Sequence, residues 1–148
     1  MGSEKQIGEM EKFFLAFADK TRLRILNLMR EGEICVYFLV EVLNESQPKV
    51  SRHLAYLRGA GIVETRREGK WMHYRITTPS DPSAAQLLRN TLTWMDSQEK
   101  MQCDYEKLKQ ICCSSDKTIT LTQMPKSNTF VKSNINNKPG GELEIFLL

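Results

Sequence analysis

Residues 46–77 read SQPKVSRHLAYLRGAGIVETRREGKWMHYRIT, and this stretch decides the fold. Ser46 is a helix N-cap, and Pro48 sits in the first turn, where its missing N–H costs nothing. The helix runs through His53 and Leu57 toward Gly61, a residue suited to the left-handed position beyond a helix end. The hydrophobic period then changes to two. Residues 62–67 and 71–77 alternate as strands do, and Glu68-Gly69-Lys70 between them makes a hairpin.

Working outward, the preceding residues read as three more helices. Ile7, Met10, Phe13, Phe14 and Phe17 recur at three- and four-residue steps. Asp19 caps a second helix with Leu23, Ile25, Leu26, Leu28 and Met29, ended by Gly32. Val36, Leu39, Val40 and Leu43 give a short third helix, and Asn44 and Glu45 turn the chain into the fourth. After the hairpin, Asp81-Pro82 opens a last long helix. Leu88, Leu92, Met95 and Met101 lie along one stripe of it, with Trp94, Tyr105 and Leu108 near the edge. The expected fold is mostly α with a β-hairpin, a winged helix-turn-helix followed by a long C-terminal helix.

The chain has 148 residues, the size of one ordinary domain. Hydrophobic residues are 41% and charged residues 26%, values that exclude collagenous and wholly disordered chains. Apolar runs such as 13–18 and 34–40 are far shorter than the roughly 20 residues of a membrane-spanning helix. The first twelve residues are polar, with no apolar signal core, so a cytoplasmic protein without membrane partners is expected. Residues 114–140 are rich in Ser, Thr, Asn and Lys. The chain therefore divides into a working domain, 1–113, and a flexible polar tail, 114–148, whose last seven residues are unexpectedly apolar.

The net charge is only +3, but it is unevenly placed. Residues 1–43 carry 6 basic and 7 acidic side chains, residues 44–78 carry 7 and 3, and residues 79–148 carry 8 and 8. The excess lies on the fourth helix and the hairpin, and a polyanion is its natural partner. At about 100° per residue, Val50, Leu54 and Leu57 form one buried stripe of that helix. Pro48, Arg52 and Ala55 lie opposite, flanked by Lys49 and Tyr56 on one side and Ser51 on the other. Arg52 suits a bidentate contact to guanine and Gln47 a contact to adenine, while Ser51 and Lys49 suit phosphates. Arg66, Arg67, Lys70 and Arg75 surround the hairpin turn, the arrangement of a wing that lies along phosphates or enters a minor groove. Double-stranded operator DNA is the expected partner.

In three segments the chain resembles the ArsR/SmtB family of bacterial metal-responsive repressors: residues 18–26 (ADKTRLRIL), 46–54 (SQPKVSRHL) and 69–75 (GKWMHYR). The resemblance covers roughly residues 10–100 and is specific, because the segments agree in order and spacing. Lys20 departs from it, where the family commonly has proline. The resemblance implies a homodimer joined through the first and last helices, with two recognition helices reading half-sites about one helical turn apart. It also implies that His53 and His73 are structural or DNA-facing, and His53 joins the DNA-binding candidates.

The family's inducer sites fall in different places. A zinc site of carboxylates and histidines on the last helix is absent, since the two histidines, His53 and His73, lie elsewhere. A Cys-Val-Cys pattern in the third helix keeps only Cys35, with Tyr37 and Val40 in the other thiol places. One thiolate does not chelate, and Cys35 reads as a small buried residue. Cys103, Cys112 and Cys113 remain. Three soft thiolates suit As(III) or Sb(III) as inducer, and no cofactor is required. On an unbroken helix, nine residues separate Cys103 from Cys112 by about 13.5 Å and half a turn. Either the helix breaks between Tyr105 and Ile111, or Cys103 comes from the partner subunit, or Cys112 and Cys113 alone hold a monosubstituted organoarsenical. The other readings of these thiols are an oxidant sensor, a cadmium or lead site, and incidental thiols at a frayed helix end. A thiol enzyme using Cys113 and a histidine base has little support, because both histidines belong to the DNA-reading part.

Overall fold

The computed structural model describes the backbone of residues 2–118 and the side chains of residues 2–112. Six helices and three short strands follow in the order α1 (Gly2–Phe17), α2 (Lys20–Met29), β1 (Ile34–Cys35), α3 (Val36–Leu43), α4 (Gln47–Gly59), β2 (Val63–Glu68), β3 (Trp71–Ile76), α5 (Pro82–Asp96) and α6 (Glu99–Thr118). The strands form an antiparallel sheet in the order β1-β3-β2. This is a winged helix-turn-helix, as the sequence predicts.

Local chemistry sets the boundaries. The Asp19 carboxylate accepts the Arg22 N–H at 2.9 Å and starts α2. Ser46 accepts from Lys49 to start α4, and Asp81 accepts from Ala84, followed by Pro82, to start α5. Asn44 takes the left-handed conformation (φ 54°) between α3 and α4, which asparagine tolerates better than most residues. α4 closes with a doubled C-cap around Gly61 (φ 73°). The Gly61 N–H donates to the Arg58 carbonyl at 3.0 Å and the Ile62 N–H to the Leu57 carbonyl at 3.1 Å. In the hairpin, Glu68 opposes Trp71, leaving a two-residue turn with positive φ at Gly69, as in a type II′ turn.

Two features depart from the sequence reading. The first is β1. It has two residues, too few for a period to show, yet it pairs Ile34 with Tyr74 and Cys35 with His73 and fastens the wing to the helices.

The second is a correction. The last helix is not one rod from Asp81 onward but two, α5 and α6, broken at Ser97 and Gln98. The Ser97 hydroxyl donates to the Trp94 carbonyl at 2.7 Å, and the Gln98 N–H to the Met95 carbonyl, so the backbone tightens and turns. The Gln102 side chain closes the corner on the Asp96 carbonyl.

The break returns α6 to the body of the protein. Tyr105 and Leu108 are buried in the core, each burial contributing roughly 2 kcal/mol. Asn27 donates to the Met101 carbonyl at 2.9 Å, Lys107 donates to the Val42 carbonyl at 3.2 Å, and Tyr105 donates to Glu31. Asp104, 2% exposed, receives Arg24 through two hydrogen bonds of 2.6 and 2.9 Å and Lys100 at 3.0 Å.

α1 and α5 keep apolar side chains outside. Ile7, Met10, Phe14, Leu15, Leu87 and Trp94 are all exposed, Trp94 by 69%. No helix among the described residues is long and apolar enough to cross a membrane. α6 continues to Thr118, past the expected boundary at 113, and the rest of the expected tail, 119–148, lies outside the described residues.

Burial alone would push the Asp104 carboxyl up, but the Arg24 hydrogen bonds and Lys100 outweigh it and hold it below the usual carboxylate value. Its stabilising contribution is complete above the unfolded value near pH ~4 and is lost as pH falls through the lowered folded value. Asp104→Ala strands Arg24 and is expected to cost about 3 kcal/mol in denaturant unfolding. It should also shift acid unfolding, since the variant lacks the carboxylate whose protonation destabilises the parent.

Candidate nucleic-acid interface and thiol positions

Val50, Leu54 and Leu57 are completely buried, so α4 docks by one stripe and must present the opposite side to solvent. Gln47, Arg52 and Tyr56 are exposed, while Lys49, Ser51 and His53 are partly covered. Lys49, Arg52, His53 and Tyr56 stand at i, i+3, i+4 and i+7, which places them on one flank of α4. Together with Arg22 from α2 they line an open hollow of about 350 Å³. Gln47 and Ser51 fall on the other flank of α4.

Arg22 was not legible as part of this site, since in the sequence it is one of three basic residues in α2. Its guanidinium donates to the Ala16 and Leu15 carbonyls at 3.1 and 2.8 Å. It lies 4.2 Å from the Tyr56 ring centroid and 3.5 Å from His53 Nδ1. His53 is also 3.6 Å from the Asp19 carboxylate. Lys49 is paired with Glu45 at 2.8 Å. Arg52 has no hydrogen-bond or ion-pair partner among the described residues.

The wing residues divide by what already holds them. Arg66 reaches back to Glu33, 4% exposed, at 3.3 Å and to Glu68 at 3.4 Å. Burial raises Glu33 above the usual carboxylate value, and Arg66 opposes that rise. Arg66 is therefore a buttress of the wing base. Arg75 is paired with Glu64. At the tip, Arg67 bonds only the Gly69 carbonyl, and Lys70 lies 5.5 Å from the Trp71 ring centroid, so both can turn to a ligand. His73 is fully buried between the strands. Burial and Arg66 push its pKa down to about 3, so it stays neutral and belongs to the fold.

Cys35 is fully buried, and its sulfur accepts the Tyr37 N–H at 3.4 Å as the N-cap of α3. Burial pushes its thiol well above the usual value, which makes it inert. Cys103 is exposed and Cys112 is partly covered against the core. α6 is unbroken from Glu99 to Thr118, so no break between Tyr105 and Ile111 gathers these two thiols. They stand about half a turn apart around the helix. The Cys113 side chain lies outside the described residues, and no group of three metal-ligating side chains occurs among those described.

A presented basic helix beside a cationic hairpin defines a winged-helix DNA-binding regulator. The sequence pattern of the family described as "Bacterial regulatory protein, arsR family" matches residues 19–65. The chain is 42% identical over 106 residues to the arsenical resistance operon repressor of Escherichia coli K12, a match covering 71% of this chain and 89% of that one. The transcriptional repressor BigR from Xylella fastidiosa superposes with a TM-score of 0.53 at 35% identity, over 66% of this chain and 94% of that one. A homodimeric winged helix-turn-helix DNA-binding domain from Mycobacterium bovis gives 0.54 at 28% identity, over 64% and 84%. The chain belongs to the ArsR family of transcriptional regulators.

Arg66→Ala leaves Glu33 buried without its cation and is expected to cost about 1–3 kcal/mol of stability along with DNA affinity. Arg67→Ala at the tip should weaken DNA binding with stability unchanged within about 0.5 kcal/mol. Thermal unfolding and duplex titration of the two variants separate the roles.

Proposed function

We propose that the protein is a dimeric transcriptional repressor that leaves its operator when trivalent arsenic or antimony is bound by thiolates on α6. The observation that carries this reading is the seat of α6. The helix bearing Cys112 and Cys113 is clamped to α2 through Asp104–Arg24 and Met101–Asn27, and to the end of α3 through Lys107–Val42. The turn after α3 leads directly into α4. A strain applied to α6 is thereby applied to both supports of the recognition helix.

Other support comes from chemistry and likeness. Cys35 is sealed in its cap, so the third helix offers no ligand. Adjacent cysteines supply two sulfurs to one arsenic, each As–O bond of arsenous acid being exchanged for As–S with release of water. A third bond is available from Cys103 of the partner subunit, or is filled by carbon in an organoarsenical. The relative from Escherichia coli is an arsenical resistance operon repressor, and the neighbour from Mycobacterium bovis is homodimeric. The exposed apolar faces of α1 and α5 suit such pairing.

By linkage the ligand must bind the free protein more tightly than the DNA-bound protein, typically by 1–3 kcal/mol, about 5–150-fold. The test uses an operator selected from a random-sequence duplex pool with the protein itself. Arsenite is expected to weaken binding by that factor, and peroxide without metalloid to leave it unchanged. The Cys112→Ser, Cys113→Ser double variant should bind the operator normally and fail to release it. Normal release by that variant overturns the thiol assignment, and release by peroxide alone without release by arsenite overturns the metalloid as the signal and favours an oxidant sensor on the same thiols.

A further inference from the structure

The hollow beside α4 points to a division of labour along the recognition helix that its sequence alone did not reveal. Resting on the DNA-binding reading above, we propose that this hollow holds one backbone phosphate of duplex DNA, with Arg52 and Lys49 as its ligands. Base edges are then left to the other flank, where Gln47 and Ser51 stand.

The lining carries the argument. Arg22, Lys49, Arg52, His53 and Tyr56 bring three permanent cations to one concavity of about 350 Å³. Arginine and lysine side chains donate hydrogen bonds and accept none, so the hollow suits an anion rich in acceptors. The Arg22 guanidinium is committed to two backbone carbonyls and the Tyr56 ring, so it contributes positive charge to the hollow without being one of the phosphate's ligands. Arg52 is the exposed cation at the mouth, with no partner among the described residues, and its planar fork matches two phosphate oxygens.

Two carboxylates outside the lining touch its residues. Asp19 is spent on the Arg22 N–H as the α2 cap and stands 3.6 Å from His53. Glu45 is paired with Lys49 at 2.8 Å. On the duplex, Lys49 exchanges the Glu45 carboxylate for the phosphate. Glu45 therefore weakens DNA binding in general, without regard to sequence.

Phosphate contacts reveal themselves in salt dependence, whatever the sequence, so the probe is a mixed-sequence duplex of about three helical turns titrated over a range of salt. For Arg52→Gln, the slope of log Kd against log salt is expected to fall by about 0.9 per protomer. The Lys49→Gln, Arg52→Gln double variant should lose little more, because both residues serve one phosphate. Glu45→Gln should tighten binding to any duplex several-fold. Gln47→Ala should keep the slope and alter the preference for the selected operator.

If Arg52→Gln keeps the slope and relaxes discrimination at one base pair, Arg52 reads a base and the proposal falls. It falls equally if inorganic phosphate at constant ionic strength displaces the duplex saturably while Arg52→Gln leaves the slope unchanged, since the hollow then serves a small free anion. Failure of the parent protein to bind any duplex overturns the DNA-binding reading itself. A steep parent slope retained in every variant overturns only the hollow.

Discussion

A carboxylate that is 2% exposed stays charged only if its surroundings repay the lost hydration, and at Asp104 they do so through Arg24 and Lys100. Much else follows from that grip. It fixes α6 on α2, and Lys107 then reaches the Val42 carbonyl at the end of α3. A helix of mostly polar sequence is thereby made part of the core through Tyr105 and Leu108. An all-apolar contact would hold α6 as firmly but would fix its rotation less strictly, because two hydrogen bonds to one guanidinium leave a single pose. That rotation decides which way Cys103 and Cys112 face.

The helices were legible where side-chain period and caps agreed. Asp19, Ser46, Asn44, Gly61 and Gly69 all perform the turns their chemistry suits, because those turns are fixed within a few residues of chain. β1 was not legible, since two residues carry no period and are held by partners on a strand some forty positions later. The break at Ser97 and Gln98 was hidden for another reason. The apolar stripe continues across it, and the local hydrogen bonds at Ser97 and Gln102 act together with the docking of α6. The same distinction runs through the site. The exposed side of α4 followed from its buried stripe, whereas Arg22 and Glu33 gained their roles from tertiary neighbours that sequence spacing does not show.

Charge counted along the chain overstates the charge offered to a ligand. Of the basic residues that give residues 44–78 their excess, Arg66 is committed to Glu33 and Glu68, Arg75 to Glu64 and Lys49 to Glu45. Arg67 and Lys70 at the wing tip, with Arg52 on α4, have no carboxylate partner among the described residues. Of these pairs only Arg66–Glu33 has a buried partner, so its removal registers as lost stability, whereas the exposed Arg75–Glu64 and Lys49–Glu45 pairs contribute little to the fold. A surface potential alone would not separate the two groups.

The pose of α4 also depends on α1, through one side chain. Arg22 bonds the carbonyls of Leu15 and Ala16, in the last turns of α1, and lies against Tyr56 and His53 of α4. Phe13 and Ala16 face the core, while Ile7, Met10 and Phe14 of the same helix are exposed, so α1 has one face anchored and one open. The recognition helix is thus fastened from two directions, by α6 through α2 and α3 and by α1 through Arg22.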